Sequence, residues 1–127
     1  MDTDEDKLNE ITHVIIGCAY KVHNELFGGF AEKVYENALR FELMDAGFVV
    51  QQQVPVIVRY RGVVVGEYIA DLIVNDTVLV EIKAIRSLED AHTAQCLNYL
   101  AATAMPVCLL INFGKRVEVK RLRGKTS

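Results

Sequence analysis

The stretch Ala70-Asp71-Leu72-Ile73-Val74-Asn75-Asp76-Thr77-Val78-Leu79-Val80-Glu81-Ile82-Lys83-Ala84 decides how the chain folds. Two apolar runs with isolated charges flank a polar Asn-Asp-Thr turn, the pattern of a β-hairpin. Side chains alternate faces along a strand, so Glu81 and Lys83 share one face while Val80, Ile82 and Ala84 share the other. What Asp71 faces depends on the loop. A two-residue loop pairs Val74 with Thr77 and sets Asp71 opposite Val80. A three-residue loop pairs Val74 with Val78 and sets Asp71 opposite Glu81. Register follows the apolar face, which favours the longer loop: it collects Asp71, Glu81 and Lys83 on one face and Leu72, Val80 and Ile82 on the other. Two carboxylates directly across a strand pair repel. Mg²⁺ or Mn²⁺ between them removes the penalty, since hard cations take oxygen ligands. A raised pKa on one acid is the metal-free alternative. Alone, the Glu81-x-Lys83 pair reads equally as a solvent-facing ion pair on a one-sided sheet.

Outward from this hairpin, the elements follow from periodicity. Leu8, Ile11, Ile15, Cys18, Val22 and Leu26 recur at steps of three and four, which predicts one helix over 4–26, capped by Thr3 or Asp4 and stopped at Gly28-Gly29. A second helix is expected from about Phe30 to Ala46. Strands are expected over 49–59, 63–74, 78–84, 107–112 and 117–122, with Pro55 marking an edge or a bulge in the first. Ser87-Leu88-Glu89-Asp90 has the form of a capping box and opens a third helix running to about Thr103. The order α-α-β-β-β-α-β-β predicts an antiparallel meander followed by a right-handed crossover with parallel strands. The fold class is therefore α/β, a sandwich around a mixed sheet.

On the helices, further residues join the acids as candidates. Glu32 falls at the border of the apolar arc of the second helix, in its first turn. It is either a wall of the site or an acid favoured by the helix dipole. Leu88, His92, Gln95, Tyr99 and Ala102 make one stripe on the third helix, either a satisfied polar seam or the wall of a site. Tyr35 or Tyr99 is expected to line the same cleft.

Composition bounds the rest. The chain of 127 residues, 51% hydrophobic and 24% charged, reads as one domain spanning 1–127 and excludes a disordered or collagen-like chain. No apolar run reaches the roughly 18 residues of a membrane span. The acidic start, Met1 to Asp6, is the opposite of a secretory signal. Cys18, Cys96 and Cys108 are odd in number and far apart, which fits a reducing cytoplasm better than a disulfide framework. The net charge is −3, yet residues 115–127 hold six cations against Glu118 alone, leaving the first 114 residues at −8. Lys120, Arg121 and Arg123 belong to this segment. It is either a phosphate-gripping surface or an edge strand whose charges discourage aggregation.

Gly29-Phe30-Ala31-Glu32-Lys33-Val34-Tyr35 spells G-x-x-E-x-x-Y, followed by Asp71, Glu81-x-Lys83, His92-x-x-Gln95 and Gln95-x-x-x-Tyr99. This ordered set resembles the GxxExxY proteins, a group within the PD-(D/E)XK nuclease-like superfamily, over about Leu8 to Leu122. The resemblance implies a restriction-endonuclease-like sandwich, an αβββαβ core with an extra N-terminal helix and a C-terminal strand. It implies a nuclease using Mg²⁺ or Mn²⁺ on Asp71 and Glu81, with Glu32 as the helix-borne acid of the metal set. Lys83 would orient the attacking water, and Gln95 and Tyr99 match the Q-x-x-x-Y of the exonuclease branch. Tyr35, His92, Tyr99, Lys120, Arg121 and Arg123 are the expected substrate contacts. The implied partner is nucleic acid, DNA ahead of RNA, with no membrane and a homodimer allowed. Unlike many superfamily nucleases, this chain has almost no extra DNA-gripping elements.

Overall fold

The computed structural model describes residues 3–124. The elements run α1 (Asp4–Leu26), α2 (Glu32–Asp45), β1 (Val50–Tyr60), β2 (Val63–Val74), β3 (Val78–Lys83), α3 (Asp90–Thr103), β4 (Val107–Phe113) and β5 (Val117–Arg123). The strands form one sheet in the order β1-β2-β3-β4-β5, antiparallel except for the parallel pair β3 and β4. This is the mixed-sheet α/β sandwich of the restriction-endonuclease-like class, with α1 and β5 as the additions to its core. Among the described residues no helix is long and apolar enough to cross a membrane.

Each helix covers the face its apolar stripe dictates. Ile15, Ala19 and Val22 of α1 and Tyr35, Leu39 and Leu43 of α2 pack on Leu72, Val80, Ile82, Leu109 and Ile111. Cys96, Tyr99 and Leu100 of α3 pack on Ile73, Leu79, Cys108 and Leu110 from the other side. Both faces of β4 are thereby covered, and all seven of its residues are buried, as the unbroken apolar run of a central strand requires. Pro55, which cannot donate to a ladder, sits on the edge strand β1.

Thr3 caps α1: its Oγ1 accepts from Asp6 N–H at 3.0 Å, while Thr3 N–H donates to Asp6 Oδ2 at 3.2 Å. The third helix starts later than the Ser87 box predicts. Its N-cap is Glu89, whose N–H donates to Nδ1 of His92 at 3.0 Å. The reason lies across the sheet: the buried Asn112 amide accepts from Ile85 N–H at 2.9 Å and donates to Ile85 O at 3.0 Å. With Ile85 held, the chain turns before it coils.

The hairpin loop settles the register. Asn75 and Asp76 both take positive φ (50° and 55°), and Thr77 N–H closes the turn on Val74 O at 3.1 Å. This is the geometry of a type I′ turn. Thr77 is then one residue more than the turn needs, and pairing starts at Val74 with Val78, followed by Leu72 with Val80.

Tyr35, fully buried, fixes the entry to α2. Its ring stacks on Phe113 with centroids 4.8 Å apart. Its hydroxyl donates to Phe27 O at 2.7 Å and accepts from Phe30 N–H at 3.1 Å. Tyr35→Phe should therefore cost about 1 kcal/mol, because two part-buried main-chain groups lose a hydrogen-bond partner. A denaturant melt compared with the wild type checks this; an unchanged midpoint would show that water replaces the hydroxyl.

Candidate functional site

The site forms where the sheet creases. Leu72 and Val74 of β2 face α1 and α2, but Ala70, in a position of the same parity, packs on the α3 side. The partner strand changes face at the same point. Val50 packs on the α1–α2 side and Gln52 bonds to Asn37 of α2, whereas Val54 and Val56 turn to α3. Between them lies Gln53 at φ 55°, a left-handed conformation uncommon for a residue with a side chain. Ladder pairing runs from Gln52 with Leu72 to Val54 with Ala70 and omits Gln53 and Asp71. Strained backbone of this kind clusters where a site must be held in place.

Asp71 also stands where β2 and β3 part. Their ladder ends at Leu72 and Val80. Beyond it, side chains replace main chain: Ile82 N–H donates to Asp71 Oδ2 at 2.8 Å, and Asp71 N–H donates to Glu81 Oε1 at 2.9 Å. Each carboxylate is thus anchored by the other strand through one oxygen. Glu81 is 3% exposed and Asp71 9%. Burial, and then the Asp71 charge, pushes the Glu81 carboxyl up to about 9, against the opposing Asp71 N–H. Asp71 is raised as well, by burial first, with Ile82 N–H and the Lys83 charge opposing. Lys83, half-buried at the end of β3, acts on both acids by its charge.

The second helix contributes two acids. Glu32, half-buried, is raised by burial and then by the Asp71 charge, with Lys83 opposing. Glu36 is the residue the sequence reading missed. It is 1% exposed, and it accepts from Lys33 Nζ at 2.9 Å and from the amides of Gln52 and Gln53. Burial raises its pKa, but these donors outweigh it and hold the carboxyl below its ordinary value. The Gln53 amide also lies 3.4 Å from Asp71 Oδ1, so it ties Glu36 to the central pair. The available signal was spacing: Glu36 follows Glu32 by one helical turn and so shares its face.

The remaining candidates fall in different places. Tyr99 lies against the acids; burial and then the Glu81 and Asp71 charges push its phenol up to about 12, and its ring tilts against Tyr68. Gln95, one turn earlier on α3, is half-buried. His92 gives its Nδ1 to the helix cap, and Tyr35 is enclosed in the core. Arg123 Nη1 reaches Glu5 Oε1 at 2.6 Å and Arg121 Nη2 reaches Asn9 Oδ1 at 2.8 Å, both on α1. These arginines pair with Val107 and Leu109, on the sheet face opposite Glu81. Lys120 points the other way, its Nζ 3.5 Å from Thr93 Oγ1. The basic tail residue Lys125 lies outside the described residues. Among the described residues, no three His, Cys, Asp or Glu side chains form a group that could hold a metal ion. The set Asp71, Glu81 and Glu32 is therefore not drawn together into a three-acid cage.

Comparison with known proteins converges on one family. No curated protein matches the sequence. Solved structures share the fold, SSO0001 and an alkaline exonuclease among them. SSO0001 aligns with a TM-score of 0.60 at 18% identity, over 76% of this chain and 52% of its own. An alkaline exonuclease, LHK-Exo, from Laribacter hongkongensis aligns with a TM-score of 0.55 at 14% identity, over 98% of this chain and 73% of its own. The chain thus spans about half the length of SSO0001. The family model described as the PD-(D/E)XK nuclease superfamily matches residues 9–122, which include both strand acids, Lys83 and both helix acids. The chain belongs to the PD-(D/E)XK nuclease superfamily.

Proposed function

We propose that this chain is a metal-dependent nuclease of the GxxExxY group, a single domain that hydrolyses phosphodiester bonds of nucleic acid, DNA ahead of RNA. The observation that carries the reading is the pair Asp71 and Glu81. They stand buried at the end of a broken ladder, each holding the other strand's N–H, with Lys83 beside them. Forcing two acids into one buried place destabilises a fold, and a divalent cation offsets that cost.

The donor set fits Mg²⁺ or Mn²⁺, because it consists of carboxylate oxygens without sulfur or imidazole. Asp71 and Glu81 would hold the ion, with Glu32 as the helix-borne acid near it. Such an ion, when bound, supplies Lewis acidity at a phosphoryl oxygen and a water of lowered pKa. The chain's own groups do the rest. Lys83 offsets the charge that builds on the phosphate. Glu36, through Gln53, positions Asp71. Gln95 and Tyr99 wall the α3 side. A cytoplasmic location and a homodimer belong to the same reading.

A screen with Mg²⁺ and Mn²⁺ on single- and double-stranded DNA and RNA tests it, with Lys83→Ala beside the wild type. Cleavage by the wild type alone is expected; repeated failure of pure protein to bind Mn²⁺ in calorimetry would overturn it. The second reading is a non-catalytic nuclease-fold module that binds nucleic acid or a protein. It is favoured by the lack of a three-acid metal group among the described residues.

The Glu36 charge raises the Asp71 pKa, so Glu36→Gln should lower it. Asp71 then stays ionised to lower pH. Mn²⁺ affinity should rise more at acid pH than at alkaline pH, since metal binding requires the deprotonated ligand. Calorimetric titrations across a pH series check this. An equal change at every pH, or none, would remove Glu36 from the electrostatics of the site.

A further inference from the structure

A cavity of about 720 Å³ lies at the C-terminal ends of β3 and β4. It is floored by Ala84, Ile85 and Phe113, and Arg86 and Lys115 stand at its rim with Phe27 and Phe30. Two of its lining residues stand close in sequence to the candidate centre. Ala84 follows Lys83 directly, and Phe30 precedes Glu32 by two residues.

Three loops build it, and each is fastened by a side chain the fold need not have spent there. Asn112, fully buried, holds Ile85 through both its N–H and its carbonyl. His23 Nε2 donates to Gly114 O at 3.0 Å. Tyr35 Oη ties Phe27 to Phe30. The loops also touch closely. A Cβ on Gly28 would come within 3.2 Å of Gly114 O, and one on Gly114 within 2.8 Å of Ile85 O. Polar fastening of this kind keeps a binding site in one shape before its ligand arrives.

The rim has a definite chemistry. Phe27 is 68% and Phe30 50% exposed, large for phenylalanines on a folded chain. Arg86 and Lys115 are exposed, and among the described residues neither forms a salt bridge. Free cations beside open aromatic rings take phosphates and unpaired bases together, because each base presents a face that stacks. Paired bases hide that face inside the duplex.

We infer that this cavity binds a single-stranded nucleic-acid segment next to the scissile phosphodiester, with Phe30 stacking on a base and Arg86 and Lys115 holding the backbone. The inference rests on the nuclease reading for the candidate centre and adds the class of substrate: a strand end, overhang or single strand.

The test is fluorescence anisotropy of a labelled single-stranded DNA of about ten nucleotides in EDTA, so that binding is read without cleavage. The matching duplex serves as the second probe. Wild type should prefer the single strand. Phe30→Ala should weaken it about tenfold. Arg86→Ala with Lys115→Ala should weaken it further and reduce the salt slope by up to about two contacts' worth. All three side chains are solvent-exposed, and a melt of each variant shows that the fold is kept. Equal affinity and equal slope for wild type and variants overturn the inference, as does preference for the duplex. Single-strand binding lost in these variants, from a protein that never cleaves, sinks the nuclease reading and keeps the cavity. Metal-dependent cleavage with unaltered strand affinity in the variants does the reverse.

Discussion

Glu81→Gln is expected to lower metal-dependent cleavage by about 10³-fold or more, while making the metal-free protein more stable. The two effects share one cause. Glu81 is buried beside Asp71, and its pKa is pushed up to about 9 from an unfolded value near 4.5. The folded state therefore prefers the protonated form. The stability this contributes is fully present below about pH 4.5 and is lost as pH rises through the folded value. At pH 8 the wild type carries this cost and the glutamine variant does not. The amide oxygen can still accept from Asp71 N–H, so the anchor between the strands survives. We expect the variant to be more stable by at least ~1 kcal/mol at pH 8 in EDTA, and the difference to vanish near pH 4. Denaturant melts at the two pH values check the sign. A variant that is less stable at pH 8 would mean that the carboxylate makes a favourable contact in the metal-free protein.

The second large effect is Lys83→Ala. Loss of a charge that opposes the build-up on phosphate should reduce kcat by about 10²–10³-fold, with Mn²⁺ affinity held within a few-fold at pH 8. Lys83 also lowers the pKa of Glu81, Asp71 and Glu32. Its removal should raise all three, and the acid limb of the pH–rate profile should move to higher pH. Lys83→Arg keeps the charge and should restore the position of that limb, even if the rate stays low. A lysine that merely caps the strand would leave the limb in place, so the profile separates the two roles.

Much of this was legible in the amino-acid order. The hairpin around Asn75 offered two registers that differ by one residue. The apolar face chose between them, because a slip would put Asp71 on the face of Val80 and Ile82. The bounds of α1 and β2 followed from periodicity and from the glycines beside them. The crease was not legible. A left-handed Gln53 has no local signal, since left-handed positions usually fall to glycine or asparagine. It coincides with the point where the hairpin passes from packing on α1 and α2 to packing on α3. Glu36 was lost for a related reason. On the wheel it sits beside Glu32, but its donors, Gln52 and Gln53, come from a strand some fifteen residues away. The start of α3 failed similarly, because Asn112 acts on Ile85 from across 27 residues of chain. Tyr35 was read as a substrate contact but is enclosed in the core, because its depth depends on Phe113, which no local window contains.

The crease at Gln53 and Asp71 has a kinetic consequence. Beyond it, the far half of the β1–β2 hairpin is exposed at Tyr60, Val63, Val64 and Val65 and rests mainly on α3. Before it, β2 is buried and pairs with the fully buried start of β3. Amide exchange should therefore change sharply along β2: residues 63–69 open to deuterium by a local fluctuation, while 72–74 wait for global unfolding. Both acids lie at the boundary between the two regimes. Their spacing is set on one side by the slowest-exchanging part of the molecule and on the other by one of the fastest. A ligand that fastens the two acids together should slow exchange in the hairpin tip as well, at amides it never touches.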